Sequence, residues 1–439
     1  MLLKPCGRLC ALLLVAAGCD KLRTLPGFEP APAVPEPPPA AAVLGPWLLE
    51  SQPGQMTVAW TTREPVAGKV WYGTREPDRL ALEEGPAGTD HRVVLHPLEP
   101  STQYRYRVEG AQETAWFTTA PKPGSEGPIE VLVYGGNRSN NGDHALVARA
   151  AAADRPQLAL HTGDMVGNPA EEPLWRVWFA EERDLLLHAP LAAAPGTHDV
   201  ADGGAAFTRL FGRRGGPRYR SFDYGPVHVA LLDAFDSPQH ASPQPAGFSE
   251  AQKAWLEEDL RGVPADRHVW VVVHRGPFAH PAEARRSQAG NEDIRAAIAA
   301  AHKVHPVEAV FAGDQPFYER GEIDGIRYFV LGAGGAPLDE PDPSAEGVQS
   351  AARALSYATV QVCGCHSAGR AKDIAGKVLD AFTLADCATP CSAPGWAASV
   401  AAASVVSSPA AQEDSRKSRR RTRKRRRAER ASASAEDGR

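Results

Sequence analysis

One pattern recurs through the middle of the chain and constrains its fold more than any other feature: a short apolar run that ends in small or polar residues. Such runs are typical of buried β-strands. The predicted strands are Ile129–Tyr134, Gln157–His161, Val227–Asp233, His268–His274, Val307–Phe311 and Tyr328–Leu331. Because helical patterns separate several of them, we predict layered α/β packing. The loops that follow the strands should meet at one edge of the sheets, where open α/β folds usually carry their sites.

The clearest helix is predicted at Ser249–Gly262. Ser249 and Gln252 have the spacing of a capping box, in which each side chain bonds the other residue's backbone N–H. Gly262 can terminate the helix.

The residues that follow the strands form a ladder of short motifs. They read GGNR at 135–138, GDMV at 163–166, GTHD at 196–199, VVVH at 271–274 and GDQPFYER at 313–320. In this order the ladder resembles the calcineurin-like metallophosphoesterases, and most closely their purple acid phosphatase branch. In that branch the last motif reads G-H-x-H-x-Y-E-R, and both histidines bind metal.

The resemblance covers roughly residues 128–384 and implies a four-layer αββα sandwich, an α/β fold. We place the metallophosphoesterase domain at 128–386. Before it, residues 47–121 alternate short β-type runs with turns, which predicts a small all-β sandwich. The segment LEPSTQYRY at 98–106 resembles a fibronectin type III tyrosine corner, and the family carries such a domain before its catalytic one.

The resemblance also assigns roles to single residues. Asp164 falls on the carboxylate that bridges both metals, and His274 falls on a metal-binding histidine. Thr197 and Asp314 stand where the family has an amide ligand and an imidazole ligand. His198 falls on the histidine that contacts substrate, and it is the candidate general acid.

Three other ligand positions carry no donor side chain: Gly136, Gly167 and Pro316. One of the two metal seats would therefore keep Asp164 as its single ligand. The other would keep two carboxylates, one imidazole and one weak hydroxyl, a set suited to a hard or borderline divalent ion. We expect at most one divalent metal (Zn, Mn or Fe) per chain, and a chain without bound metal is the alternative.

Several of these residues have a second interpretation. Asp314 is either a substitute ligand or a turn residue before Pro316. Arg138 either contacts a substrate oxyanion or is solvated, and His198 either contacts substrate or bonds a neighbouring loop. Four further residues are conceivable replacement ligands, but we interpret them as structural: Asp143, His144, His161 and His280.

Two classes of function follow. The first, which we favour, is a weak or inactive phosphatase-like protein with a degraded two-metal site that keeps a binding or scaffold role. The alternative is an active one-metal phosphomonoesterase or phosphodiesterase that uses Asp164, His274 and Asp314, with His198 as the acid. In either case the expected ligand is a phosphate ester or another anion. The sequence does not indicate a protein partner.

The N-terminus predicts export from a bacterial cell. Lys4 and Arg8 precede the apolar run Leu9–Ala17, which is too short to span a bilayer. The sequence VAAGC, ending at Cys19, resembles a lipobox. We therefore predict a signal peptide at 1–19, a lipid on Cys19 and a location in the cell envelope, periplasmic or on the outer surface. A cleaved signal without lipid is the alternative.

The segments that flank the predicted domains have biased compositions. Residues 20–46 are rich in proline and alanine, which favours an extended tether. Residues 387–439 form a predicted disordered tail, with eleven Lys or Arg against one Glu between Arg416 and Arg430. Such a run suits lipid headgroups, nucleic acid or acidic polysaccharide, or it is solvated without a dedicated partner.

Four cysteines remain beyond the signal peptide: Cys363, Cys365, Cys387 and Cys391. In an exported protein they predict two disulfides, for which three pairings are possible. A zinc site is the competing interpretation.

Overall fold

The computed structural model describes residues 42–111, 113–213, 215–237, 246–282 and 291–387. Several predicted features lie outside these residues: the signal peptide with Cys19, most of the Pro/Ala-rich linker, Cys391 and the basic tail. They stay predictions.

The first seven strands form a two-layer β-sandwich. They are β1 (Ala42–Gln52), β2 (Gln55–Val66), β3 (Lys69–Gly73), β4 (Arg79–Leu82), β5 (Gly88–Leu95), β6 (Gln103–Val108) and β7 (Ala115–Thr118). One sheet has the order β1-β2-β5 and the other the order β4-β3-β6-β7. Trp60 and Phe117, one from each sheet, lie in the core between them. The backbone N–H of Glu99 donates to the Tyr104 hydroxyl at 3.0 Å, the type of contact that defines a tyrosine corner.

The predicted end of the linker at residue 46 is wrong by a few residues. Strand β1 begins at Ala42, and its pairing with β2 includes Leu44 opposite Thr61. Leu44 is 2% exposed, so its burial draws the last linker residues into the sheet.

Thirteen further strands form two larger sheets. They are β8 (Ile129–Tyr134), β9 (Leu158–His161), β10 (Leu191–Ala193), β11 (Arg220–Tyr224), β12 (Val227–Leu231), β13 (His268–Val273), β14 (Ala309–Ala312), β15 (Tyr318–Ile323), β16 (Ile326–Leu331), β17 (Val348–Ala352), β18 (Ser356–Cys363), β19 (His366–Asp373) and β20 (Val378–Ala385). The sheet orders are β10-β9-β8-β18-β19-β20 and β11-β12-β13-β14-β16-β15-β17. The six strands predicted from apolar runs are present to within about two residues.

Helices cover the outer faces of both sheets. They are α1 (Asn141–Ala153), α2 (Glu172–Glu181), α3 (Arg183–Leu186), α4 (Ala205–Leu210), α5 (Glu250–Arg261) and α6 (Glu292–Val304). Apolar side chains of both sheets, including Val131 and Val272, form a core between the sheets. A second core lies under α1–α4 and a third under α5 and α6. The predicted four-layer αββα sandwich after an all-β domain is confirmed.

The predicted helix is present, but its capping box is incomplete. The Ser249 side chain accepts a hydrogen bond from the Gln252 N–H at 3.1 Å, as expected. The Gln252 side chain does not reach back to Ser249. Its amide instead accepts from the N–H of Asp233 and donates to the carbonyl of Asp233, which ties the helix to the end of β12.

The β-sandwich and the larger domain share contacts. Trp47 of β1 packs against Phe179 of α2, with ring centroids 4.7 Å apart. The Tyr106 hydroxyl donates to the Leu187 carbonyl at 3.0 Å. Among the described residues, no helix has the length and apolar character needed to cross a membrane.

Within the described residues, a disulfide joins Cys365 to Cys387. This pairing was one of the alternatives left open by the sequence. It also corrects the predicted start of the tail, because Cys387 is covalently tied to the turn between β18 and β19.

Candidate functional site

The candidate site lies where strands of both sheets end. Asp164 follows β9, His274 follows β13 and Asp314 follows β14. His274 Nε2 lies 3.4 Å from Asp164 Oδ1 and 3.5 Å from Asp314 Oδ1. All three side chains are at most 9% exposed. The structure therefore brings together the three predicted ligands that follow these strands.

Asp164 is surrounded by positive groups and an N–H donor. Arg138 Nε donates to Asp164 Oδ2 at 2.9 Å, and the His198 backbone N–H donates to Asp164 Oδ1 at 2.9 Å. Burial alone would raise the pKa of this carboxyl, but the charges of His274, Arg138 and His198 hold that pKa below its usual value. Asp164 is thus an ionised, fully buried carboxylate.

Asp199 fixes the backbone of the loop that carries Asp164. Its carboxylate accepts from the backbone N–H groups of Asp164 at 2.7 Å, Met165 at 3.0 Å and Gly196 at 2.8 Å. Burial and the nearby Asp164 charge raise the pKa of Asp199 to about 6. Sequence reasoning assigned no role to Asp199, although its place in the GTHD motif was a signal for one.

Asp314 has an arginine partner of its own. Arg275 Nε lies 3.5 Å from Asp314 Oδ1, and the Gln315 side chain donates to Asp314 Oδ2 at 2.8 Å. Although burial opposes ionisation, His274, Arg275 and Gln315 hold the pKa of Asp314 well below its usual value. Sequence reasoning missed Arg275, which directly follows His274 in the chain.

His274 is fixed through its other ring nitrogen. Nδ1 donates to the Thr162 carbonyl at 2.7 Å. Burial lowers the pKa of His274, but Asp164 and Asp314 outweigh that effect and raise it above its ordinary value. An imidazolium between two carboxylates is the charge state that these contacts stabilise.

The first of the two seats implied by the motifs does not fit a metal. Gly136 has φ +79°, and a Cβ placed there would lie 2.1 Å from the Gly332 carbonyl oxygen. The Arg138 guanidinium lies against Asp164 and also donates to the Asp314 carbonyl at 2.5 Å. Pro316 supplies no donor. A cationic side chain and a close backbone contact thus replace the ligands of this seat.

The second seat fits one divalent ion by the chemistry of its donors. Among the described residues, His274 Nε2 and Thr197 Oγ1 are buried atoms without a hydrogen-bond partner, as expected of atoms that face a ligand. A metal bound at Nε2 would take the place of the proton that the imidazolium carries there. The spacing is wide, however. Within the described part of the chain, the ligand atoms of Asp164, His274 and Asp314 do not all lie within 4.8 Å of one another.

The other two predicted contact residues are near this centre. His198 is half-buried, and its Nδ1 donates to the Gly167 carbonyl at 2.9 Å. The Arg138 side chain is 30% exposed, so it is neither freely solvated nor fully buried.

The retained Y-E-R letters of the last motif have structural contacts. The Tyr318 hydroxyl donates to Asp380 Oδ2 at 2.7 Å, and Arg320 Nε donates to the same oxygen at 2.6 Å. Glu319 accepts from His280 Nδ1 at 2.9 Å. Since Asp380 lies on β20 of the other sheet, the hydrogen bonds that it accepts from Tyr318 and Arg320 join the two sheets. They require no metal, which explains how this part of the motif is kept without its histidines.

The fold and the strand-end site define a protein of the metallophosphoesterase fold class. The family model of the purple acid phosphatase N-terminal domain matches residues 47–120. Probable purple acid phosphatase 20 of Arabidopsis thaliana is 23% identical over 293 residues, covering 61% of this chain and 66% of that protein. The solved purple acid phosphatase PPD1 of yellow lupin superposes with a TM-score of 0.63 at 17% identity, covering 77% of this chain and 73% of that one.

The chain is therefore purple acid phosphatase-like, with an N-terminal domain of that kind before its metallophosphoesterase fold. The resemblance inferred from the motif ladder is confirmed. A further relative, Fe(3+)-Zn(2+) purple acid phosphatase 12 of Arabidopsis thaliana, is 22% identical over 321 residues, covering 68% of this chain and 66% of that protein, and it carries both metals in its name. The chain thus aligns with about two thirds of the length of these two plant relatives.

Proposed function

We propose that this protein binds an oxyanion at its strand-end site and does not hydrolyse phosphate esters through a two-metal centre. One observation carries the proposal: Arg138 Nε lies 2.9 Å from Asp164 Oδ2. Two-metal hydrolysis needs a pair of cations about 4 Å apart that activate a shared water. A guanidinium neutralises Asp164 in place of one cation, but it cannot ionise a water as a metal does.

The same groups suit an oxyanion. Arg138 and Arg275 bring two guanidinium groups to the site, and guanidinium groups bind phosphate and carboxylate oxygens in pairs of hydrogen bonds. The buried Thr197 hydroxyl has no partner and can donate to an anion. Arg138, Arg275 and a protonated His274 face the carboxylates of Asp164, Asp314 and Asp199, so the charges of the site balance when Asp199 is ionised. The site therefore suits an oxyanion through its guanidinium and hydroxyl donors and not through an excess of positive charge.

A binding role fits the predicted attachment to the cell envelope. A lipid on Cys19, followed by the Pro/Ala-rich linker, would hold the folded part at a membrane surface. The protein would then present its anion site as a tethered binding or scaffold protein.

Metal content and turnover test this proposal directly. The intact chain is loaded with manganese, zinc or iron, its metals are counted by elemental mass spectrometry, and hydrolysis of a phosphomonoester and a phosphodiester is followed. We expect at most one metal per chain, turnover at the level of buffer, and binding of inorganic phosphate in calorimetry. Two metals per chain, with turnover lost on Asp164→Ala, would show that the proposal is wrong.

A one-metal phosphoesterase is the second candidate. The observation that favours it is the pair of partnerless buried atoms, His274 Nε2 and Thr197 Oγ1. With a divalent ion bound by Asp164, His274, Asp314 and Thr197, the metal would supply Lewis-acid chemistry, and His198 would supply the proton for the leaving group.

The substitution Thr197→Val separates the two candidates, because it removes the hydroxyl while preserving the shape of the side chain. Under the one-metal function it should weaken metal binding and reduce turnover. Under the oxyanion-binding function it should weaken phosphate binding by several-fold and change no metal-dependent property.

A further inference from the structure

A cluster of buried polar side chains lies directly behind the Arg138 loop. Its members are Tyr134, Asn137, His144, His161 and Glu182, each at most 1% exposed. They come from two strands of one sheet, the loop between β8 and α1, helix α1 and the end of α2. Burying so many polar groups is unfavourable unless they bond one another. Such a cluster therefore indicates a specific task.

Hydrogen bonds link the cluster to the site. The Gly163 N–H donates to His161 Nδ1 at 3.0 Å. Because that nitrogen accepts, the ring proton is on Nε2, which donates to Asn137 Oδ1 at 3.2 Å. Burial and the nearby charges of His144 and His274 hold the pKa of His161 well below its usual value, in agreement with a neutral ring. The amide nitrogen of Asn137 lies against the His144 ring, 2.7 Å from Nδ1 and 2.6 Å from Nε2. Because the amide nitrogen and the two protonated ring nitrogens are all donors, this is a packing contact and not a hydrogen bond.

His144 and Glu182 form the charged end of the cluster. His144 Nε2 lies 3.0 Å from Glu182 Oε1, and His144 Nδ1 donates to the Gly334 carbonyl at 2.9 Å. Although burial lowers the pKa of His144, the hydrogen bond and charge of Glu182 raise it above its ordinary value. Both side chains are at most 2% exposed, so the loss of either charge would leave the other without its partner.

The next residues in the loop have an unfavourable backbone. Arg138 has φ +51° and Ser139 has φ +61°, and the left-handed region is unfavourable for a residue with a side chain. A conformation of this kind persists only where its surroundings determine it. The backbone N–H groups of Asn137 and Arg138 both donate to the Asp164 carbonyl, at 2.8 and 3.1 Å.

A glycine-rich loop completes the enclosure. Gly334 donates its N–H to the Gly135 carbonyl at 2.8 Å. Gly335 has φ +148°, and a Cβ there would lie 2.9 Å from His144 Cβ. The GAGG segment at 332–335 thus packs closely against His144, and this contact accounts for a glycine at position 335.

We infer that Glu182, His144 and Asn137 are positioning residues, which hold the strained Arg138 loop so that the guanidinium stays on Asp164. The ion pair fixes the His144 ring, the ring and His161 fix the Asn137 side chain, and Asn137 fixes the backbone from which Arg138 projects. The effect of this positioning on anion binding rests on the proposed function, whereas the position of Arg138 does not.

The test uses Glu182→Gln in the intact chain, because this change removes the charge and keeps the shape. Two properties are measured: the Arg138 Nε–H resonance in nitrogen-15 NMR and the affinity for inorganic phosphate. We expect the resonance to shift or broaden, and the affinity to fall about tenfold. Glu182→Asp, which keeps the charge, should shift the Arg138 resonance less and lower the phosphate affinity less than Glu182→Gln does.

His268→Gln is the matched control. His268 also pairs with a glutamate, the half-buried Glu308, at 2.5 Å, but it begins strand β13, at the end away from the site. The control should lose comparable stability and leave both properties unchanged. A wild-type Arg138 resonance in Glu182→Gln would overturn the inference. If the parent does not bind phosphate, the proposed function fails, and the Arg138 resonance still decides the positioning role.

Discussion

The Arg138 guanidinium lies on the Asp164 carboxylate, with Nε and Oδ2 2.9 Å apart. In the motif ladder, Asp164 matches the carboxylate that bridges two metals, and Arg138 follows the position of a lost ligand by two residues. A side-chain cation thus balances the charge of this buried carboxylate.

Arg138→Ala should destabilise the protein and increase its response to metal. Asp164 is 0% exposed and loses a charged partner, while Arg138 is 30% exposed. The cost should therefore be about 1–3 kcal/mol in the free energy of unfolding, below that of a fully buried pair. Urea denaturation with and without manganese measures it. Manganese should stabilise the variant and have little effect on the parent.

A surface arginine provides the comparison for that experiment. Arg176 pairs with Glu172 at 2.6 Å, and both side chains are more than half exposed. Arg176→Ala should change stability by less than about 0.5 kcal/mol. If Arg138→Ala were as mild, with no response to manganese, the pairing with Asp164 would have no energetic role.

Gly136→Asp should not restore a metal seat. The new Cβ would lie 2.1 Å from the Gly332 oxygen, and the backbone there has φ +79°. We expect a loss of more than about 2 kcal/mol, measured by thermal unfolding, with no added metal in mass spectrometry. Gly167→Ala is the control, because its nearest contact would be the Arg138 carbonyl oxygen at 3.3 Å and its φ is not left-handed. Metal uptake by Gly136→Asp at normal stability would contradict this expectation.

The sequence predicted the meeting of Asp164, His274 and Asp314, because each follows an apolar run whose period and length indicate a strand. It did not predict the contact between Arg138 and Asp164. That contact depends on two consecutive left-handed residues, a conformation that composition does not reveal. The glycine at position 136, where the resemblance implies a carboxylate ligand, followed closely by Arg138, was the available signal, since a buried carboxylate without a metal needs another cation.

The contacts of the Gln252 side chain could not be predicted from the local sequence either. Its spacing from Ser249 predicted a capping box, but a strand end that is distant in sequence offered Gln252 two hydrogen bonds at Asp233 instead. Long-range partners of this kind follow from the packing of layers, which a local pattern does not contain.

Asp380→Asn should weaken the fold and leave anion binding intact. Asp380 receives hydrogen bonds from Tyr318 and Arg320 and lies at the joint between the two sheets. The Arg320 and Asp380 side chains are 16% and 6% exposed, so we expect a loss of roughly 2–4 kcal/mol. Chemical denaturation measures the loss, and calorimetry with phosphate measures binding. A large fall in phosphate affinity at unchanged stability would instead place Y-E-R in the binding site.

The stability of the protein should fall as the pH rises from about 6.5 to 9, in part because of His228. Its Nδ1 lies 2.8 Å from Asp223 Oδ1 and its Nε2 lies 3.0 Å from Asp259 Oδ2. Burial lowers the pKa of His228, but the two carboxylates raise it to about 9 in the folded state. In the unfolded chain the pKa is about 6.5. The stabilisation is therefore complete below about 6.5 and is lost as the pH passes 9.

The size of this effect is at most roughly 3.5 kcal/mol, since each unit of pKa difference corresponds to about 1.4 kcal/mol. The free energy of unfolding is measured at several pH values for the parent and for His228→Gln, which cannot titrate. The two curves should differ most at pH 6 and converge above pH 9, because a deprotonated His228 no longer attracts Asp223 and Asp259. Parallel curves across this range would mean that the two carboxylates do not hold His228 in its charged form.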